Sequence, residues 1–125
     1  MKTLLLASSF LLISTHSFAA TPSNTNITNV DAASNAMNLT QLQQLSGSTQ
    51  DYDKAYANYR LAISANVMGQ KTLASSALTT AQTTLEALET SQANAESLAL
   101  LSSVYGMQIA LDNSKGATLG MKSAK

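Results

Sequence analysis

Beyond residue 48 the apolar positions recur at helical spacing, broken by short polar stretches. Tyr52, Tyr56, Tyr59, Ile63 and Val67 follow one another at steps of four, three, four and four, which places them on one face of a helix from Thr49 to Met68. Ala57, Leu61, Ala65 and Met68 form a second stripe on a neighbouring face, so this helix is expected to pack between two partners. Ser48 stands where an N-cap belongs, with Asp51 three positions on in a variant of the capping box. Asp51 and Asp53 both suit the positive end of the helix dipole. Gly69 is a natural stop.

A second helix is expected from Lys71 to about Leu88. Ala74, Ala77, Leu78, Ala81, Leu85 and Leu88 share its inner face, and serines, threonines and Gln82 cover the rest. Alanine at one end of that face lets a neighbouring helix approach closely. After Glu89 to Ala93, Asn94 is placed to cap a third helix through Leu98, Leu100, Leu101, Val104, Tyr105, Met107, Ile109 and Leu111. It is apolar nearly all round and is therefore expected to be the most buried. Lys115 to Lys125 resumes the pattern weakly, with Ala117, Leu119, Met121 and Ala124. The expected fold class is all-α, with two antiparallel helical hairpins over residues 48–125.

Residues 20–47 read differently. From Ala20 to Ala36 the chain is dense in Thr, Ser, Asn and Asp, whose side chains bond their own backbone and compete with helix. A disordered, flexible leader is expected here, with a possible short helix near its end where Leu39, Leu42 and Leu45 stand three apart. Lys2 and the apolar run from Leu4 to Ile13 precede the small residues Ser17 and Ala19. The run has signal-peptide length and is too short to span a bilayer. Residues 1–19 are therefore expected to be a cleaved signal peptide, which exports the protein to the periplasm or extracellular space and leaves no membrane attachment.

Cleavage changes the chemistry as well as the address. The only histidine, His16, departs with the leader, and the chain has no cysteine. The commonest general bases, thiol nucleophiles and most zinc or haem ligand sets are thereby removed, and no cofactor is expected. Loss of Lys2 leaves six basic residues against seven acidic ones, a net charge of −1 without clustered Lys or Arg, which argues against nucleic acid as a partner. Lys71 with Ser75 or Ser76 could form a serine-lysine pair on one helix face, but is read as a solvated helix surface. The carboxylate pairs Asp51/Asp53 and Glu86/Glu89 lack the further oxygen ligands of a calcium loop.

Tyr52, Tyr56 and Tyr59 beside Arg60 form the concentrated aromatic feature. Such residues anchor protein interfaces, and a tyrosine stripe also serves helix packing, with its hydroxyls reaching the surface or a polar partner. In the third helix, Leu98, Leu101, Ser102 and Tyr105 stand at the spacing of a large apolar residue, a leucine, a small residue and a tyrosine. Tyr52, Ala55, Tyr56 and Tyr59 fill the same four places in the first. On these residues the chain resembles the tetratricopeptide repeat family in a degenerate or truncated form. It departs from that family at Tyr56, where a small residue is usual, in lacking the closing proline, and in a 46-residue interval between Tyr52 and Leu98 against a repeat of about 34. A plain four-helix bundle is the alternative.

The resemblance implies a concave binding face lined by first helices, with Asn58, Arg60 and Ser102 as candidate protein contacts. The functional expectation is a non-enzymatic exported module that binds a protein or peptide, and a homodimer is possible because two hairpins are few for burying a repeat core. A helical-bundle ligand carrier or enzyme remnant, or a degenerate protein without activity, is the alternative.

Overall fold

A computed structural model describes residues 24–112 and 115–123, and the expected signal peptide, residues 1–19, lies outside them. The described residues form six helices and no strand: α1 (Asn24–Asn35), α2 (Leu39–Ser48), α3 (Asp51–Val67), α4 (Lys71–Gln92), α5 (Ala95–Leu111) and α6 (Gly116–Ser123). The all-α hairpin architecture is as expected. The hairpins number three rather than two, because α1 and α2 pair ahead of α3–α4 and α5–α6.

The segment read as a flexible leader is thus mostly helix and part of the core. Val30 and Ala33 of α1 and Leu42 of α2 are buried to within 1% of full enclosure. The polar residues that lower the helix propensity of α1 find partners on α3 instead of on their own backbone. Asn26 Nδ2 donates to Asp53 Oδ2 at 2.7 Å, the Tyr56 hydroxyl donates to Asp31 Oδ1 at 2.6 Å, and the Ser34 and Ser64 hydroxyls meet at 3.3 Å. Tertiary contact decides the helix where local propensity opposed it.

Two hairpin turns share one geometry. At the end of α3 the Gln70 N–H donates to Ala65 O at 2.8 Å and the Gly69 N–H to Asn66 O at 3.0 Å, with Gly69 at φ +76°. This is a Schellman cap closed by a left-handed residue. The α1–α2 turn repeats it, with Asn38 N–H to Ala33 O at 2.9 Å and Met37 N–H to Ser34 O at 3.0 Å, but here Met37 holds the left-handed position at φ +53°. A side chain in that region is strained by roughly 1–2 kcal/mol, part of which a glycine gives back through its freer unfolded state. Met37→Gly is therefore expected to raise stability by roughly 0.5–1 kcal/mol, whereas Gly69→Ala lowers it by roughly 1–2 kcal/mol, both read by urea denaturation.

Ser48 does not cap α3. It is the last residue of α2, the N-cap position belongs to Gln50 without a side-chain hydrogen bond, and Thr49 closes α2 by donating both its N–H and its hydroxyl to Leu45 O. Helix α2 starts on Asn38, whose side chain accepts from the Gln41 N–H at 3.0 Å. Asn94 caps α5 as expected, accepting from the Ser97 N–H at 2.9 Å.

Helix α4 runs past Leu88 to Gln92. Its outer threonines and serines do not break it, because Thr79, Thr80, Thr83, Thr84, Thr90 and Ser91 each donate to the carbonyl four residues back. The most enclosed helix is α3 rather than α5. It packs against α1, α2, α4 and α5 and buries Ala55, Ala57, Leu61, Ala62 and Ala65. On α5 the alanines, Gly106 and Leu98 face outward, Leu98 being 43% exposed.

Candidate functional site

The first helices of the three hairpins share one face. Between them runs an open groove of about 570 Å³, lined by Asn24 and Ile27 of α1, Tyr52, Tyr56 and Tyr59 of α3, and Glu96, Ala99, Leu100 and Ser103 of α5. The four-residue step from Tyr52 to Tyr56 stacks their rings, with centroids 6.3 Å apart and planes 11° apart. All three tyrosines are half-buried, resting on the core below and open to the groove above.

Asp31 anchors the floor. It accepts the Tyr56 hydroxyl and lies 3.6 Å from Arg60 Nε, an ion-pair distance too long for a hydrogen bond. Burial pushes the Tyr56 phenol up to about 12, helped by the hydrogen bond and charge of Asp31 and opposed by Arg60. Burial also raises Tyr52, with the charges of Glu96 and Asp53 adding to it. Both phenols therefore stay neutral at ordinary pH, and the stacked rings present an aromatic, uncharged surface to the groove.

The three candidate contact residues do not converge on this groove. Asn58 is buried and donates to Lys54 O at 2.9 Å. Arg60 is turned to Asp31. Ser102 lines a different cleft, on the far side of α5, with Glu86, Glu89, Leu98, Leu101, Tyr105 and Lys122. Ser103 faces the groove instead, one residue and about 100° of helix away. Of the structural signature, Leu101 and Tyr105 are buried. Asp31 and Ile27 were missed because their segment read as leader, yet Ile27, Val30, Asp31 and Ser34 already stand at helical spacing.

A polar cluster ties α4, α5 and α6 together at the cleft beyond α5. Glu86 Oε1 accepts from the Tyr105 hydroxyl at 2.7 Å, from Gln82 Nε2 at 2.9 Å and from Lys122 Nζ at 3.3 Å. Lys122 also lies 5.9 Å from the centre of the Tyr105 ring. Burial pushes the Glu86 carboxyl up, but those three hydrogen bonds and the Lys122 charge outweigh it and hold the group below its usual value. The folded form therefore prefers the carboxylate, and its contribution is present above the ordinary glutamate pKa of about 4.3 and lost as pH falls through the lower folded value. The urea midpoint is expected to fall on acidification through this range, and Glu86→Gln should reduce that fall.

Among the described residues no three acidic side chains gather where they could hold a metal ion, and no helix is long and apolar enough to cross a membrane. No protein-family model matches the chain, and neither the curated proteins nor the solved structures contain a match.

Proposed function

We propose that this protein is an exported, non-enzymatic helical module that binds a protein or peptide in the groove along α1, α3 and α5. The observation that carries the reading is the stacked Tyr52–Tyr56 pair with Tyr59, three rigid amphipathic rings opening onto a groove. Tyrosine supplies contact area at low conformational cost, and the hydroxyl of Tyr56 is already satisfied by Asp31, so a partner meets a preorganised floor. The groove carries one charge, Glu96, so the favoured partner offers apolar side chains with a basic residue toward that end.

The tetratricopeptide-like reading draws support from the order of packing, in which three successive hairpins put their first helices on one side. It also alters the case for a homodimer. That case rested on two hairpins being few for burying a repeat core, and α1–α2 adds a third hairpin within the chain.

Affinity capture from the exported compartment tests the binding proposal. The protein is expected to retain a specific partner, and Tyr52→Ala to lose it while Thr83→Ala on the outer face of α4 keeps it. Equal recovery by the wild type and Tyr52→Ala, with both folded by circular dichroism, overturns the groove as the site.

A further inference from the structure

The shape and hydrogen-bonding groups of the tyrosine groove narrow the chemistry of what it holds. Resting on the reading of that groove as a peptide site, we propose that its occupant is a proline-rich segment in the polyproline II conformation, with a basic residue at the Glu96 end.

The dimensions favour a single extended chain. Tyr52 and Tyr59 stand seven residues apart on α3, about 10 Å along the helix axis. The groove's 570 Å³ spread over that length leaves a section about 8 Å across, so a partner helix of about 10–12 Å would ride on the rim. An added β-strand draws its affinity from a sheet edge, and every lining residue here belongs to a helix. Polyproline II needs no such edge. Its repeat of three residues, about 9.3 Å, brings prolines spaced three apart into step with Tyr52 and Tyr59.

The polar groups of the lining ask for an acceptor-rich chain. Tyr56 donates to Asp31 Oδ1 and Ser103 to Ala99 O, so these two hydroxyls are spent as donors. Among the described residues the Tyr52 and Tyr59 hydroxyls have no partner, and each has a proton to give into the groove. Proline carries a carbonyl and no N–H, and a polyproline II chain bonds none of its own carbonyls. It therefore offers acceptors to both phenols without competing donors, whereas a helix keeps its carbonyls for itself. Ile27, Ala99 and Leu100 give the proline rings an apolar bed beside the tyrosines. Rigid rings meeting a preset chain lose little conformational freedom on binding.

Glu96 places the charge. It is exposed, forms no ion pair among the described residues, and shares the groove with no Lys or Arg. It stands near Tyr52, whose phenol its charge helps to raise. A lysine or arginine of the partner at that end meets an unpaired carboxylate beside an aromatic ring, and both attract it.

The test is NMR titration of the nitrogen-15-labelled protein with three capped peptides: octaproline, octaproline followed by one arginine, and octaproline preceded by one arginine. A peptide with an arginine and serine at every proline position is the control. All three proline peptides are expected to give saturable shifts at the amides of Tyr52 to Tyr59 and Ala99 to Ser103, and the control to bind at least tenfold more weakly. One of the two arginine peptides should bind about two- to fivefold more tightly than octaproline, the range of an exposed ion pair, and Glu96→Gln should remove that gain while leaving octaproline unchanged. Tyr52→Phe keeps the ring and should weaken the proline peptides by about fivefold, the value of one hydrogen bond. Absence of saturable shifts with all three proline peptides, or equal affinity for the serine control, overturns the proline assignment. Equal affinity of the three proline peptides overturns the placement of the basic residue. Neither result touches the capture experiment, in which loss of a partner by Tyr52→Ala decides the groove itself, so the two failures are distinguishable.

Discussion

Leu42→Ala is expected to destabilise the protein by roughly 2–5 kcal/mol, the cost of emptying a fully enclosed leucine site. Leu42 is 0% exposed on α2, and α2 packs on α3, which carries Tyr52, Tyr56 and Tyr59. A domain of this length has a total stability of roughly 5–15 kcal/mol, so the loss is a large share of the whole. A flexible leader would make the same substitution silent. Urea denaturation followed by tyrosine fluorescence reports mainly on α3 and therefore reads the effect at the centre of the fold. Gln43→Ala, on the exposed side of α2, is the matched control and is expected to change little.

Ala81→Leu is expected to cost on the order of 1–3 kcal/mol for the opposite reason, an excess of atoms. Helices α3 and α4 form the most extensive helix pair, and both bury alanines, Ala55, Ala57, Ala62 and Ala65 on one and Ala74, Ala77 and Ala81 on the other. Ala81 is 0% exposed, so a larger side chain must push its neighbours out of their rotamers or move a helix. Thr83→Leu, two residues along and exposed, adds similar bulk without that consequence. Comparison of their thermal midpoints separates crowding from a change in helix propensity.

The periodic part of the chain was legible because its apolar spacing and its stops agree. Tyr52 to Tyr59, the alanine and leucine face of α4, the Asn94 cap and the Gly69 stop each report a local rule that tertiary packing reinforces, whereas Val67, at the end of the tyrosine stripe, is 70% exposed. The first hairpin was illegible for the converse reason. Asn26, Asp31 and Ser34 are poor helix formers when judged alone, and the groups that satisfy them lie 25 to 30 residues away on α3. Ser48 misled because capping residues also occur inside helices, and here Thr49 closes α2 before α3 begins.

The groove was half legible. Its tyrosines stood out by type and spacing, while its other walls depend on which residues of α1 and α5 turn toward them. One position on α5, Ser102 against Ser103, changes the face entirely.

Every helix packs its backbone only against helices one or two places along the chain. Such an arrangement has low contact order, so little loop entropy must be lost before the contacts that repay it form, and folding in microseconds to milliseconds is the expectation. It also makes the ends unequal to the middle. Helix α6 rests on α5 alone apart from the reach of Lys122 to Glu86, so opening starts there and can proceed while α3 stays enclosed. A protease would meet α6 long before it met the tyrosines of α3.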